Sequence, residues 1–309
     1  MTKKILVTGS SGVLGSAIMI QLKRDNSEAE LFSPTSSELD LLDRKKTSQY
    51  FEHCRPDEVY HLASLVYGLQ GNLDNQWRAI HLNTMMNDNV FNACLQTKTK
   101  KIFFASTVAA YPDNCPNPLT EKDLFNGLPH WGEFGYAFAK RHAYGYLEIL
   151  KNKFDIDFVY GLFTNIYGPN DRFNVKTGHV IPSLLYKAYE SVKSKSKKLE
   201  IWGNPETTRD FIYSYDAAGA AVFSMKETSG MVNIASGREI KIGEVVDIIL
   251  DIFPGLEPCW VNRTLVGINR RSVDISVLRN KGWTPNITIR EGLEYTVQWM
   301  REHEHRLRM

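Results

Sequence analysis

The chain has few cysteines, little net charge and no long apolar run. Its 309 residues include 4 cysteines, and 37 lysines and arginines nearly balance 35 acidic residues, giving a net charge of +2. The cysteines lack the paired spacing of a zinc site or a disulfide framework, so we expect no metal site. The small charge gives no reason to expect nucleic acid as a partner. Without a targeting segment or a run long enough to cross a membrane, a soluble, cytoplasmic protein is expected, with no membrane partner.

What the sequence does contain is a regular alternation of strand-like and helix-like segments. Apolar, β-branched stretches predict strands at 4–7, 30–33, 58–64 and 101–107, with helical patterns between them. The alternation continues to about residue 165 and predicts an α/β fold, a Rossmann-type doubly wound parallel sheet. Beyond it we expect a smaller C-terminal α/β substrate domain. The predicted domains are 1–165, which binds the nucleotide cofactor, and 166–309, with an approximate boundary that strands can cross.

A glycine-rich turn follows the first predicted strand. Gly9, Gly12 and Gly15 lie three residues apart, between that strand and a helical pattern, which is the order a dinucleotide-binding fold requires. Gly9 would make the tight turn, Gly12 would let backbone N–H groups approach a pyrophosphate, and Gly15 would allow close packing of helix on strand. This context favours a dinucleotide site over a glycine-rich loop without a ligand.

The segment after the second predicted strand bears on the choice of cofactor. An acidic residue there would bind the ribose diol of NAD, and an arginine would accept the 2′-phosphate of NADP. Ser33, Ser36 and Ser37 occur instead. Small hydroxyl groups can accept a phosphate and the missing carboxylate removes a repulsion, so NADP(H) is favoured and NAD(H) is possible. Asp40 and Leu41 are placed to touch the adenine, with a simple surface turn as the alternative.

Tyr136 and Lys140 are the main catalytic candidates. Four residues apart on a helix, they share one face. We expect the ammonium to favour the phenolate and to lower the pKa of the phenol from about 10 towards neutrality, where proton transfer is efficient. Thr107, which ends the fourth predicted strand, is a third candidate. Its hydroxyl could bind the substrate oxygen that Tyr136 protonates, and a local turn bond is the alternative.

Together these motifs resemble an extended short-chain dehydrogenase/reductase of the nucleotide-sugar type, in the NAD-dependent epimerase/dehydratase family. The resemblance rests on Gly9-x-x-Gly12-x-x-Gly15, on Thr107 four residues before Tyr111, on Tyr136-x-x-x-Lys140 and on Asn-Ile-Tyr-Gly-Pro at 165–169. Within that group the chain is most similar to the GDP-L-fucose synthases, which are 3,5-epimerases and 4-reductases of GDP-4-keto-6-deoxymannose. The resemblance extends from residue 4 to about residue 300. It implies a homodimer formed through helices that include the one carrying Tyr136.

The resemblance also implies roles for individual residues. Thr107, Tyr136 and Lys140 would form the reductase triad, and His179 would be the acid/base for epimerisation or else a substrate hydrogen-bond donor or a core histidine. The candidate cofactor contacts are Gly9, Ser11, Gly12, Val13, Leu14, Gly15, Ser36, Asp40, Leu41, Leu62, Ala63, Tyr136, Lys140 and Phe163. The candidate contacts to the GDP-sugar are Asn165, His179, Lys187, Trp202, Arg209 and Arg271. Among these, the cations would hold the diphosphate and the tryptophan would stack on guanine or sugar, while surface salt bridges and core packing are the alternatives.

Two departures from the family pattern shape the predicted activity. Ala109 replaces a cysteine that is expected to exchange protons beside the ketone, and a methyl group cannot titrate. Ser11 and Ser36 correspond to arginines implied to hold the 2′-phosphate. We predict an NADPH-dependent C4-keto reductase of a GDP-linked 4-keto-6-deoxy sugar, hexose or heptose, without 3,5-epimerase activity.

Three alternatives to that activity stay open. They are a bifunctional GDP-L-fucose synthase, a redox-neutral nucleotide-sugar 4-epimerase with bound NAD, and a nucleotide-sensing protein that has lost the chemistry. A 4,6-dehydratase is disfavoured, because Val108 and Ala109 occupy the places where such enzymes need a carboxylate pair.

Overall fold

The computed structural model describes residues 2–25, 28–175, 178–261 and 270–307. The strands are β1 (Lys4–Thr8), β2 (Glu30–Phe32), β3 (Glu58–His61), β4 (Lys101–Thr107), β5 (Asp157–Phe163), β6 (Asn165–Tyr167), β7 (Lys198–Trp202), β8 (Thr208–Tyr213), β9 (Gly230–Ile234), β10 (Glu239–Lys241) and β11 (Glu257–Val261). The helices are α1 (Val13–Asp25), α2 (Arg44–Cys54), α3 (Leu69–Asp74), α4 (Gln76–Thr97), α5 (Phe134–Phe154), α6 (Val180–Lys193), α7 (Ser214–Glu227), α8 (Ile242–Ile252), α9 (Ser276–Asn280) and α10 (Ile289–Glu302).

The largest sheet confirms the predicted Rossmann-type architecture. Its strands are all parallel and lie in the order β2-β1-β3-β4-β5-β9. The chain runs from β1 out to β2 at the edge and then crosses back to β3, so the strand order reverses between β1 and β3. In open α/β sheets, ligands bind at this reversal point, beyond the carboxyl ends of the strands. The fold therefore predicts where the site lies.

Both faces of this sheet are covered by helices, which explains why its strands are apolar throughout. Ile5, Leu6 and Val7 of β1 are each 0% exposed, and alternate side chains point to opposite faces. Leu6 packs into the core beneath α2, α4 and α5, whereas Ile5 and Val7 pack into the core beneath α1 and α7. Burial on two sides holds the strand ends, and hence the site, in fixed positions.

A third core lies in the later part of the chain, between two small sheets and α6, α8 and α10. Helix α10 begins at a capping box, in which Thr288 N donates to the Glu291 carboxylate (2.8 Å) and Glu291 N donates to Thr288 Oγ1 (3.3 Å). However, α7 packs on α1 and β9 pairs with β5, so both belong to the large sheet although they follow residue 165. The domain division at residue 165 stays a prediction.

The two regions meet at a buried carboxylate. Asp210 on β8 accepts hydrogen bonds from Thr164 Oγ1 (3.0 Å) and from the backbone N and the Oγ of Ser236 (2.9 Å each). Burial raises the pKa of Asp210, and these bonds oppose the increase. Because Thr164 connects β5 to β6, Asp210 holds the corner where the chain leaves the large sheet.

Among the described residues, no helix has the length and apolar character needed to span a bilayer.

Candidate active site

A crevice of about 580 Å³ opens at the carboxyl ends of β1, β3, β4 and β5, as the strand order predicts. This size is typical of small-molecule sites. The crevice brings together all the predicted catalytic residues, Thr107, Tyr136, Lys140 and His179. It also brings together the predicted cofactor contacts Gly9, Ser11, Gly12, Val13, Leu14, Gly15, Ser36, Asp40, Leu41, Leu62, Ala63 and Phe163, and the predicted substrate contacts Asn165 and Arg271.

The glycine turn at the end of β1 leaves no room for side chains. Gly9 has a φ of +72°, and a side-chain carbon there would lie 2.7 Å from the backbone N of Ala63. A side-chain carbon at Gly15 would overlap the carbonyl oxygen of Gly9. The turn places the start of α1 at the crevice, where the first N–H groups of a helix have no intrahelical acceptors. Such a cradle fits a pyrophosphate.

A buried histidine connects this turn to the helix that carries Tyr136 and Lys140. His61 Nδ1 lies 2.8 Å from Thr8 Oγ1, and its Nε2 lies 3.0 Å from Asn87 Oδ1. Burial, followed by the charge of Lys140, lowers the pKa of His61 to about 3, so the imidazole is neutral at pH 7. Asn87 Nδ2 donates to the carbonyl oxygen of Ala139 (3.4 Å) on α5. The network ties the end of β1 to α5 through polar contacts that are all satisfied.

Tyr136 and Lys140 share the crevice face of α5, with Lys140 Nζ 5.5 Å from the centroid of the Tyr136 ring. Lys140 Nζ also donates to the carbonyl oxygen of Ala105 (2.8 Å) and lies 4.7 Å from the Phe104 ring centroid. Thr107 Oγ1 accepts a bond from Ala109 N (3.1 Å), which is the local turn bond considered as an alternative. That bond uses the oxygen as an acceptor, so the hydroxyl hydrogen can still point to a ligand in the crevice.

The expectation that Lys140 lowers the pKa of Tyr136 is wrong for this structure. Burial raises the pKa of the Tyr136 phenol, the charge of Glu133 adds to the increase, and a hydrogen bond shared with Ser64 opposes it. Burial also lowers the pKa of Lys140 to about 7. Desolvation is the largest cause of both shifts, contrary to the attraction that the spacing alone suggested. At neutral pH the phenol keeps its proton, which is the form a general acid needs.

Charged side chains also line the crevice. Arg271 Nη1 lies 3.6 Å from Glu133 Oε2, with side-chain exposures of 12% and 25%. Arg209 is close to both: burial lowers its pKa to about 10, the charge of Arg271 adds to the decrease and Glu133 opposes it. His179 precedes α6 and lines the crevice. Burial lowers the pKa of its imidazole, the charge of Glu133 opposes this decrease and the charge of Arg172 adds to it.

A buried amide on β9 helps to hold the segment that carries Arg271. Asn233 Nδ2 donates to the carbonyl oxygens of Leu119 (3.1 Å) and Asp274 (3.0 Å), and its Oδ1 accepts from Tyr111 Oη (2.7 Å). Leu119 N also donates to the carbonyl oxygen of Ser272 (2.9 Å). The segment that carries Arg271 is therefore fixed to the large sheet, although it is distant in sequence.

Three predicted substrate contacts do not line the crevice. Lys187 Nζ lies 3.9 Å from the centroid of the Trp202 ring and donates to the carbonyl oxygen of Glu200 (3.0 Å). Trp202 Nε1 donates to the Glu200 carboxylate. Arg209 also lies outside the lining, with its Nη1 donating to the carbonyl oxygen of Thr208 (2.7 Å). Substrate roles for Lys187, Trp202 and Arg209 stay predictions.

The sequence-based prediction missed several residues that line the crevice. These are the segment 64–68 after β3, Asn72, the loop 170–172 and Glu133. Glu133 had a usable signal, because it is a carboxylate only three residues before Tyr136 in the sequence. The others had none, since their loops reach the crevice only through the tertiary fold. Among the described residues, no group of three or more histidine, cysteine, aspartate or glutamate side chains forms a metal site.

Comparisons with known proteins agree with this fold. Residues 5–243 match the model of the NAD dependent epimerase/dehydratase family. The chain is 31% identical over 304 residues to putative GDP-L-fucose synthase 2 of Arabidopsis thaliana, covering 97% of this chain and 92% of that protein. The crystal structure of a GDP-L-fucose synthetase from Naegleria fowleri bound to NADP is similar with a TM-score of 0.91 and 28% identity, covering 100% of this chain and 97% of that one. A GDP-mannoheptose C4 reductase from Campylobacter jejuni with NADP bound has a TM-score of 0.86 and 26% identity, covering 97% and 98% of the two chains.

Proposed function

The chain belongs to the NAD dependent epimerase/dehydratase family, and within that family we propose that it is an NADPH-dependent C4-keto reductase of a GDP-linked 4-keto-6-deoxy sugar, hexose or heptose. One observation carries the proposal: a proton donor, a second hydroxyl and a buried lysine share one crevice with the glycine turn, and Ala109 lines the same crevice. The similarity to GDP-L-fucose synthases and to a GDP-mannoheptose C4 reductase supports the GDP-sugar as substrate class.

The residues around the glycine turn fit a dinucleotide. The turn at Gly9 and Gly15 would hold the pyrophosphate, because backbone N–H groups can approach it where side chains are excluded. Ser11 and Ser36 would bind the 2′-phosphate, and two similar structures that hold NADP support this choice. Bound NADPH would supply a hydride to the C4 carbon of the sugar.

The protein's own part in the reaction is to handle the proton and the developing charge on O4. Tyr136, which keeps its proton at neutral pH, donates it to the oxygen as the carbonyl becomes an alkoxide. Thr107 donates a hydrogen bond to the same oxygen. Lys140 would hold the ribose of the cofactor. Reduction requires no further acid or base.

Epimerisation beside the ketone requires removing protons from C3 and C5, and here the proposal departs from the fucose synthases. Ala109 is 3% exposed and presents only a methyl group to the crevice. His179 lines the crevice, but a single titratable group on one side of the sugar serves less well than two.

The predicted homodimer, the domain division and the cytoplasmic location remain predictions.

The experiment uses purified protein, GDP-4-keto-6-deoxy-hexose and the corresponding heptose. With NADPH, we expect one reduced product per substrate, retaining the configuration at C3 and C5, as identified by NMR. In deuterated buffer without NADPH, we expect no deuterium at C3 or C5. Ala109→Cys is the matched variant and should gain exchange, because it restores a titratable group. Deuterium incorporation by the natural protein would instead favour a bifunctional epimerase and reductase.

A further inference from the structure

Glu133 is a carboxylate at the catalytic end of the crevice. It is the last residue of a short 3₁₀ turn, Trp131–Glu133, and directly precedes α5. Its carboxylate is paired with Arg271, and its charge acts on Tyr136, His179 and Arg209. The side chain therefore lies among the groups that surround the reacting sugar.

The turn that carries Glu133 is held firmly between two helices. Gln76 at the start of α4 donates through Nε2 to the carbonyl oxygen of Trp131, and its Oε1 accepts from Gly135 N (2.6 Å). A side chain at Gly135 would overlap the backbone of Gln76, so the two helices meet without a gap. His130 Nδ1 accepts from Gly132 N (3.1 Å) within the same turn. A carboxylate fixed in this way is preorganised for a ligand.

The charge of Glu133 limits what can bind beside it. A carboxylate repels a diphosphate but accepts hydrogen bonds from hydroxyl groups, and a guanidinium beside it donates to the same hydroxyls. Glu133 and Tyr136 line the same crevice, and they are close enough that the charge of Glu133 raises the pKa of the Tyr136 phenol. In a 6-deoxy sugar, C3 is the carbon next to C4 that carries a hydroxyl group. A sugar whose O4 receives the proton of Tyr136 would therefore have its C3 hydroxyl near Glu133.

We propose that Glu133, together with Arg271, is the specificity-determining subsite for the C3 hydroxyl of the sugar. Glu133 accepts a hydrogen bond from this hydroxyl, and Arg271 donates one to its oxygen. The inference rests on the proposed GDP-sugar substrate and adds that the enzyme selects sugars that keep the C3 hydroxyl over 3-deoxy sugars. It assigns Arg271 to the sugar rather than to the diphosphate.

The test compares two GDP-6-deoxy-hexoses that differ only in the C3 hydroxyl, using binding and turnover together. Dissociation constants are measured by titration calorimetry for the natural protein and for Glu133→Gln, and kcat/KM is measured with the two 4-keto forms. We expect Glu133→Gln to weaken binding of the 3-hydroxy sugar about tenfold and that of the 3-deoxy sugar less than about twofold, since a hydrogen bond to a charged group is lost only in the first case. The ratio of the two kcat/KM values should shift likewise.

Glu148→Gln is the matched control, because Glu148 lies on the same helix, outside the crevice lining. This control should leave the dissociation constants and kcat/KM of both sugars unchanged. An unchanged affinity for NADPH in Glu133→Gln and Glu148→Gln shows that both variants are folded. An equal loss for the two sugars in Glu133→Gln would overturn the inference. Binding needs no turnover, so a failure of the reductase proposal is seen separately, as sugars that bind with the predicted preference but are not reduced.

Discussion

The two walls of the crevice hold their positive charges differently. On the wall built from the large sheet and α5, Lys140 is 2% exposed, and its Nζ contacts a carbonyl oxygen and two aromatic rings. On the second wall, the charged wall formed by Glu133 and Arg271, the Arg271 guanidinium lies beside the Glu133 carboxylate. Burial brings the pKa of Lys140 to about 7, within reach of protonation changes, whereas the Arg271 guanidinium is held in an ion pair.

This difference indicates a division of work between the walls. The sheet wall offers backbone N–H groups, small hydroxyls and groups that exchange protons, which suit a cofactor and a reaction. The charged wall offers fixed donors and acceptors, which suit recognition of a particular sugar. Substitutions on the sheet wall should therefore reduce turnover with any sugar, and substitutions on the charged wall should change which sugar is used.

The largest effect that would test this division is expected from Tyr136→Phe. Removing the proton donor should lower kcat about a hundredfold or more, while the affinities for GDP and NADPH stay intact, because general-acid catalysis contributes to the transition state and not to binding. Steady-state kinetics and titration calorimetry measure the two quantities. Tyr146→Phe, on the same helix but outside the crevice lining, is the control. An unchanged kcat in Tyr136→Phe would contradict the role of Tyr136 as the proton donor.

A smaller effect is expected from Gly15→Ala, which tests whether the sheet wall binds through its backbone. The new methyl group would overlap the carbonyl oxygen of Gly9, so the turn must shift and NADPH should bind at least about tenfold more weakly. Gly145→Ala on α5 is the control, because a side chain there meets nothing within 4 Å. The control should be stabilised by up to about 1 kcal/mol. Equal NADPH affinity in both variants would contradict backbone recognition.

A separate effect is expected on stability, from Lys140→Met. The pKa of Lys140 is about 7 in the folded protein and about 10.4 in the unfolded chain. Between these values the unfolded chain binds more protons, so the natural protein gains stability as the pH rises, and below pH 7 the full cost of the buried charge remains. The Tm advantage of Lys140→Met should therefore be greater at about pH 6 than at about pH 9.

Thermal unfolding without nucleotide measures this difference. Lys153→Met is the control, because Lys153 lies at the exposed end of the same helix and its charge stays in solvent. A Tm difference that stays constant with pH would show that burial does not hold the pKa of Lys140 low. In that case the contrast between the two walls would be one of geometry alone.

Most of the sheet wall could be predicted from sequence, because its signals are local. A glycine turn between a strand and a helix, a hydroxyl at a strand end and a tyrosine four residues before a lysine each act within a few residues, and parallel strands bring their ends together. The direction of the pKa shift of Tyr136 could not be predicted, since it depends on how deeply α5 is buried. Lys187 and Trp202 were predicted as substrate contacts, but in the structure they contact each other outside the crevice.

By itself, the sequence determined the α/β fold, the position of the glycine turn and the pairing of Tyr136 with Lys140 on one helix, because periodicity and short motifs encode them. Only the tertiary structure decided that Glu133 pairs with Arg271 at the crevice and that Asn233 holds the segment on which Arg271 lies. These contacts join residues more than a hundred positions apart or on separate elements. Their geometry arises from packing and burial, which no local pattern records.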